Sequence, residues 1–145
     1  MAVSGGATQA EQRAVEDLMK GFSDAFNAKD ATALAALFSE DAEFVNIFGG
    51  RMRGRNEIQA GHAGFFAHAL DANHLVMDPD PDVKLLTPDL LLAHAHWTRE
   101  RLPDAPEGTL PPSTGVLTLV VRQNAGHWEL VAATNVQAVA PVARP

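Results

Sequence analysis

Hydrophobic side chains recur three and four residues apart over the first part of the chain, which is the repeat of an amphipathic helix. Thr8 and Glu11 have the spacing of a capping box, so we expect a helix to begin there and to end near Ala28. Asp30 can cap a second, shorter helix that continues to Phe38. The inward positions that this repeat predicts are Val15, Leu18, Phe22, Ala25, Phe26, Leu34, Leu37 and Phe38.

The repeat changes from helical to alternating at residues 44–48, which predicts a strand. Phe44, Asn46 and Phe48 would share one face of this strand, and the two aliphatic residues between them the other. Both faces are mostly apolar, so we expect the strand to be covered on both sides. The glycine pair at 49–50 supplies the backbone freedom of a hairpin turn.

A third helix is predicted over residues 54–69, where Ile58, His62 and either Phe65 or Phe66 fall on one stripe. In this register His62 faces the layer to which the preceding strand belongs. A single amide and a single imidazole among aromatic rings are typical of a small-molecule pocket. We therefore expect the functional site between that strand and this helix.

The rest of the chain consists of short runs that predict antiparallel strands. An acidic, proline-containing segment at 78–82 interrupts these runs and predicts a kink or a loop. Residues 102–113 hold four prolines and one glycine, and we expect a surface loop long enough to cover a pocket mouth. The predicted strands are 73–77, 83–86, 90–99, 116–122 and 127–139.

Helices that come first, followed by strands with the third helix between them, indicate an α+β fold. We expect a strongly curved, mixed but mostly antiparallel sheet that wraps around the three helices as a cone and leaves a cavity. One domain is predicted at residues 10–139, with a flexible N-terminus at 1–9 and a disordered tail at 140–145.

Composition narrows the classes of function. The chain has 145 residues and no cysteine, which excludes disulfides, thiol catalysis and thiolate metal sites. A net charge of −7 without a basic run argues against a nucleic-acid partner, and Arg51, Arg53 and Arg55 are expected to be solvated or paired with carboxylates. The sequence shows neither a secretion signal nor an apolar run of membrane-spanning length, so we expect a cytoplasmic protein without a membrane partner.

Candidate polar residues each allow two interpretations. His62 titrates near neutral pH and can accept a proton, or it can be a hydrogen-bonded part of the cavity wall. Asn46 can polarise a ligand carbonyl or hold a loop. Asn135 and Gln137 can bind a ligand at the concave face of the last strand, or bind each other and a partner subunit. Trp97 can line the pocket or pack in the core.

His94 and His96 lie on one face of a predicted strand, a spacing that metal sites use. With His62 across the cavity, a three-histidine site is conceivable. The sequence shows no nearby acid that would orient the imidazoles, so we expect no metal and no other cofactor. The alternative places the pair on the outer face, toward solvent or a second subunit.

Three runs of the sequence, at 26–30, 37–44 and 54–58, resemble the nuclear transport factor 2-like superfamily. This cone fold is shared by ketosteroid isomerase, scytalone dehydratase and SnoaL-type polyketide cyclases. The order Phe-Val-Asn, Gly, Gly-Arg-x-x-Ile, His, with a closing Trp-x-x-x-Ala-x-x-Asn at 128–135, is most similar to the SgcJ/EcaC group. The resemblance covers residues 11–139 and implies a homodimer, because members commonly pair through the outer sheet.

Ketosteroid isomerase removes a proton next to a carbonyl with an aspartate, and it holds the oxyanion with a tyrosine and a protonated carboxylic acid. By the register of the matched runs, the tyrosine falls on Phe22, the base on Asn46 and the acid on Thr118. An amide cannot act as the base, and the chain contains no tyrosine. The resemblance therefore implies the scaffold of that enzyme without its reaction.

Together these observations predict a small-molecule-binding protein of the SgcJ/EcaC type, whose ligand is an apolar, carbonyl-bearing, polyketide-like metabolite. If the protein is an enzyme, His62 moves a proton while Asn46 or Asn135 holds an oxygen. The alternative is a non-catalytic homodimeric binding module. The other predicted ligand contacts are Phe22, Phe44, Phe48, Phe66, Trp97 and Thr118.

Overall fold

The computed structural model describes residues 6–68 and 70–139. Within them, three helices and seven strands follow one another in the order predicted for an α+β fold. The helices are α1 (Gln9–Ala28), α2 (Ala31–Ala35) and α3 (Arg55–Ala67). The strands are β1 (Phe38–Val45), β2 (Arg51–Arg53), β3 (Asn73–Met77), β4 (Asp82–Thr87), β5 (Leu90–Arg101), β6 (Ser113–Asn124) and β7 (His127–Gln137).

The packed domain begins before residue 10, where the sequence places its start. Gly6 forms an isolated β-bridge with Lys84 of β4, and Ala7 is fully buried. The predicted flexible segment therefore does not extend over Gly6 and Ala7. Residues 1–5, the predicted tail at 140–145 and Ala69 lie outside the described residues.

Helix α1 starts and ends as predicted. Thr8 and Glu11 form the complete capping box: the Thr8 hydroxyl accepts from the Glu11 amide at 3.1 Å, and the Glu11 carboxylate accepts from the Thr8 amide at 2.8 Å. Near the other end, the Asn27 side chain bonds both backbone groups of Leu75, as a neighbouring strand would. This pair of bonds fixes α1 against β3.

Helix α2 ends at Ala35 and not at Phe38, because Phe38 already belongs to β1. The Leu130 amide of β7 donates to the Leu37 carbonyl at 3.0 Å, and this hydrogen bond places the residue before β1 beside β7. The predicted strand at 44–48 starts earlier than expected, at Phe38, and ends at Val45. A register irregularity between Phe38 and Glu43 breaks the alternation and hides the first half of the strand from a period-two pattern.

One sheet contains all seven strands in the order β2-β1-β7-β6-β5-β3, with β4 paired to β5 beside β3. Strands β1 and β7 are parallel, and the other pairs are antiparallel, as predicted for a mixed sheet. The sheet is curved and does not close into a barrel. The proline-containing segment at 78–81 separates β3 from β4, so that both can pair with the same edge of β5.

The two faces of the sheet differ in polarity. On β5, Ala93, Ala95 and Trp97 are buried toward the helices, whereas His94 and His96 point to the outer face. The hydrophobic core lies between the inner face and the three helices. In the described ranges, no helix is both long enough and apolar enough to cross a membrane.

Gly115 of β6 makes room for the indole of Trp97. It lies directly opposite Trp97 in the β5–β6 pairing, and a Cβ atom at Gly115 would overlap the indole ring and the Val136 carbonyl. The missing side chain lets the indole cross β6 and reach β7, where its Nε1 donates to Asn135 Oδ1 at 2.7 Å.

Gly115→Ala should therefore destabilise the protein by about 1–3 kcal/mol, because the added methyl group overlaps backbone and a rigid ring. Gly64→Ala is the matched control: Gly64 is exposed on α3, a methyl group added there would have no neighbour within 4 Å, and helix propensity predicts a gain of about 0.5–1 kcal/mol. Urea unfolding of both variants measures the difference. Equal stability of Gly115→Ala and wild type would contradict this role of Gly115.

Candidate functional site

A narrow cavity lies between α1, α3 and the inner face of the sheet. About 60 Å³ of it is accessible to the centre of a water molecule. Most of its walls are aromatic or aliphatic side chains, which is typical of a small-molecule site. Seven of the predicted site residues line it: Phe22, Phe44, Asn46, Phe48, His62, Trp97 and Asn135.

Two predicted ligand contacts lie elsewhere. Phe66 is buried behind the cavity, where its ring packs edge-on against Phe26 with the centroids 5.3 Å apart. Thr118 lies on the outer face of β6, paired with His94, and the inward residue next to it, Leu117, lines the cavity instead. The acid position transferred from the isomerase to Thr118 was therefore one residue out of register with the inner face.

The mouth of the cavity lies beside Phe48. This residue is 61% exposed and yet lines the cavity, and its ring packs against Phe65 of α3 at 5.9 Å between centroids. The deeper wall is formed by Phe22 and Phe44, whose rings are parallel at 6.4 Å. A ligand entering beside Phe48 would meet aromatic surface on its way to the imidazole of His62.

His62 is held in one orientation. It is 5% exposed, and its ring meets Phe44 edge-on at 4.8 Å between centroids. Nδ1 lies 2.8 Å from the Ile58 carbonyl, which can only accept a hydrogen bond, so Nδ1 carries the proton and donates. In the neutral ring Nε2 is then an acceptor, and within the described residues it has no hydrogen-bond partner.

Burial lowers the pKa of His62 below its ordinary value of 6.5, and the hydrogen bond to the Ile58 carbonyl opposes this effect only in part. No carboxylate lines the cavity among the described residues, so no negative side chain stabilises an imidazolium there. The imidazole is accordingly neutral at pH 7. It combines the two predicted properties: it is a wall residue bonded to backbone, and it offers a free basic nitrogen.

Asn46 closes the turn at 46–50 rather than lying within a strand. Its Oδ1 accepts from the amides of Phe48 and Gly50, both at 2.9 Å, and Gly49 adopts the positive φ of 81° that the turn requires. Because backbone amides can only donate, these bonds assign the oxygen and leave the NH₂ group of Asn46 available. The loop-holding interpretation is thus correct for its oxygen, while its nitrogen is free to donate to a ligand.

Asn135 repeats this arrangement on β7, the strand next to β1, where it follows Thr134, the pairing partner of Val45. Its Oδ1 accepts from the indole of Trp97, so its NH₂ group is the remaining donor. Gln137 does not bind Asn135: its Oε1 accepts from Arg99 Nη2 at 2.8 Å. Trp97 both packs in the core and lines the cavity.

Arg99 also lines the cavity and is only 4% exposed, although the sequence did not single it out as a site residue. Its guanidinium lies 5.6 Å from the Trp97 ring and donates to the Pro111 carbonyl at 2.8 Å. Burial lowers its pKa from the ordinary value. The signal was present in the alternation of β5, because a residue two places after Trp97 must share its inward face.

His94 and His96 do not reach the cavity. Both point away from it on the outer face of β5, where they pair with Thr118 and Val116 of β6. The sheet thus separates them from His62, and a three-histidine site across the cavity is geometrically impossible. Among the described residues, no group of three histidine, cysteine or acidic side chains is placed to hold a metal ion.

Of the alternating arginines, Arg51 bonds the Glu43 carboxylate at 2.8 Å and Arg53 lies 3.8 Å from it. Arg55 donates to the Phe38 carbonyl and ties the start of α3 to β1. The expectation that these arginines are solvated or paired with carboxylates is met at Arg51 and Arg53.

Solved structures share this architecture. A domain of unknown function with a cystatin-like fold from Nostoc punctiforme has a TM-score of 0.79 and 23% identity, over 92% of this chain and 81% of that one. A Novosphingobium aromaticivorans protein provisionally described as a scytalone dehydratase has a TM-score of 0.75 and 17% identity, over 90% and 85%. A protein from the same organism, provisionally described as an aromatic ring hydroxylase, has a TM-score of 0.77 and 19% identity, over 92% and 93%.

At these identities the structural likeness shows the fold alone. No protein with a curated description matches the chain. The sequence pattern of the SnoaL-like domain matches residues 7–134, which span α1 to most of β7. The chain therefore belongs to the SnoaL-like domain family and has its nuclear transport factor 2-like, cystatin-like cone fold.

Proposed function

We propose that this protein binds an apolar, carbonyl-bearing metabolite of polyketide-like character in the cavity, as a member of the SgcJ/EcaC group. One observation carries the proposal: Asn46 and Asn135 both line the mostly apolar cavity, and because their oxygens already accept hydrogen bonds from the protein, each has its NH₂ group left to donate. Such donors suit a ligand carbonyl oxygen. A cytoplasmic location stays a prediction.

We extend the proposal to proton transfer. Nε2 of His62 would take a proton from the carbon next to the ligand carbonyl, and the electron pair of that C–H bond would move into the enolate. The NH₂ groups of Asn46 and Asn135 would stabilise the oxygen that gains negative charge. Asn46 thus takes part as a hydrogen-bond donor, a role its amide can fill although it cannot act as the base.

Binding is tested by occluding the cavity. Leu117→Phe should fill part of the cavity and weaken the binding of small cyclic and aryl ketones by about tenfold or more. The larger ring would take the place of the ligand, and the ligand would lose apolar contacts with the cavity wall. The matched control is Leu91→Phe, since Leu91 is an equally buried leucine of the inner face that does not line the cavity. Calorimetric titration measures both. Equal affinities of the two variants, with native circular dichroism, would argue against the cavity as the binding site.

Proton transfer is tested with His62→Gln, which keeps a polar side chain but removes the base. Exchange of the protons next to the carbonyl into D₂O, followed by NMR, should slow by about 100-fold or more, while ketone affinity changes little. Because burial lowers the pKa of His62 below 6.5, the wild-type rate should be level above pH 6.5 and fall as the imidazole becomes protonated at lower pH. An exchange rate that rises on acidification would exclude His62 as the base.

A non-catalytic binding module is the alternative, and a specific observation favours it. His62 is fixed to the backbone of its own helix, and no carboxylate of the described residues stabilises a protonated form. In that case ketones bind the wild type and His62→Gln alike, and neither accelerates exchange. The same NMR experiment therefore separates the two functions.

We also propose that the protein is a homodimer through the outer face of the sheet. Val136 of β7 is 58% exposed there, beside its cross-strand neighbour Val116, which in turn neighbours His96. Exposed apolar side chains on a broad sheet face favour association with a second copy.

Sedimentation equilibrium should give twice the chain mass of 15.5 kDa for the wild type and the single chain mass for Val136→Glu, which places a charge in the proposed contact. Ala60→Glu, on the exposed face of α3, is the control and should remain dimeric. A wild-type mass of one chain at micromolar concentration would refute the dimer.

A further inference from the structure

Within the described residues, Arg99 is a buried cation without a counter-ion. The ion pairs within the described residues involve other arginines and lysines, and none includes Arg99. Arginine cannot lose its proton to avoid this situation, and a buried unpaired charge is costly. The cavity wall therefore carries a positive charge at Arg99, with neutral polar groups at His62, Asn46 and Asn135.

The guanidinium also has unused hydrogen-bond donors. Nη2 spends its two N–H groups on the Pro111 carbonyl and Gln137 Oε1. Nε is fully buried and has no acceptor among the described residues, and Nη1 makes no hydrogen bond there either. Since a buried N–H group normally has an acceptor, the unpaired Nε indicates that an acceptor arrives with a ligand.

We propose that Arg99 binds a carboxylate group of the cavity's ligand, so that the ligand class is an aromatic or alicyclic acid. This inference rests on the proposed function, since it assumes that the cavity takes a small molecule. The inference adds that the ligand is negatively charged and that Arg99 recognises this charge.

Shape and charge favour a carboxylate over a phosphate. A carboxylate is planar and carries one negative charge, which matches the planar fork and single charge of one guanidinium. A phosphate dianion would bury a second charge in a cavity that, within the described residues, offers no second cation.

Contacts with the protein hold the guanidinium of Arg99 in place but leave its Nε and Nη1 groups without acceptors among the described residues. The Trp97 ring lies against it at 5.6 Å, and Gly115 and Asn135 hold that ring in place. Gln137 and Pro111 restrain Nη2. Because these contacts already orient the guanidinium, binding of a carboxylate costs little conformational entropy of the Arg99 side chain.

The test compares probes of nearly equal shape that differ in charge. Benzoate and acetophenone form one pair, and 2-naphthoate and 2-acetonaphthone a second. Calorimetric titration at pH 7 should show wild-type affinity at least about tenfold higher for the acid of at least one pair, as expected for charge-assisted hydrogen bonds. Arg99→Gln should remove this preference while changing ketone affinity less than about threefold.

Arg101→Gln is the matched control. Arg101 is an exposed arginine of the same strand and also donates to backbone carbonyls of the 102–112 loop, at Ala105 and Pro106. It should leave the acid preference unchanged. Arg99→Lys should retain part of the preference, because it keeps the charge but loses the fork.

Four outcomes decide the question. A wild-type acid preference that Arg99→Gln abolishes supports the inference. Ketones binding as tightly as the acids overturn the inference and leave the proposed function standing. An equal loss of affinity for the acids and the ketones in Arg99→Gln also overturns the inference, since it would show that Arg99 only supports the structure of the cavity. Binding of none of the probes to the wild type overturns both. If Arg99→Gln does not fold, the wild-type comparison and Arg99→Lys still decide.

Discussion

The polar chemistry of the cavity follows from one constraint: a buried N–H group needs an acceptor, and an aromatic wall supplies few. Three side-chain amide oxygens accept hydrogen bonds from the protein itself. The oxygen of Asn135 accepts from Trp97, that of Asn46 from the backbone amides of the 46–50 turn, and that of Gln137 from Arg99. With these oxygens engaged, the two asparagines have only their nitrogens left to offer. The cavity thus becomes rich in donors and poor in acceptors, with His62 Nε2 as the notable exception. A ligand that brings oxygen atoms complements such a wall.

The fold holds this arrangement through contacts that join helices to strands. Asn27 fixes α1 to β3, and Arg55 fixes α3 to β1, so Phe22 and His62 approach the sheet from defined directions. Between the strands, Gly115 lets the Trp97 indole cross β6 to β7. A missing side chain on one strand therefore positions an aromatic ring from a second strand against an amide on a third. Because these contacts are made by different elements, the site depends on the complete cone rather than on any one segment.

Local signals explain what the sequence could and could not predict. The capping box of α1, the α+β order and the inward register of His62 depend on residues close in sequence, and all agree with the structure. The predictions that were wrong concern residues that pair with distant parts of the chain. The register irregularity near Glu43 hid the start of β1. Thr118 was placed on the inner face by transfer from a remote family, whereas the burial pattern of β6 places it on the outer face. Arg99 could have been found from alternation with Trp97. The lack of a counter-ion for Arg99 within the described residues could not be predicted, because only the folded chain shows which carboxylates lie near it.

His62 and Arg99 are coupled through the charge of whatever fills the cavity. An unaccompanied anion beside His62 would favour the imidazolium and so oppose the effect of burial, which keeps the imidazole neutral. A carboxylate bound to Arg99 forms a pair with little net charge, and the imidazole then keeps its basic form. The isomerase scaffold meets the need for a base with a carboxylate, which is charged in its active state. In the proposed reaction the base is neutral and the charge lies on the arginine, so recognition of an acid and removal of a proton would occur in one cavity without competing for the same residue.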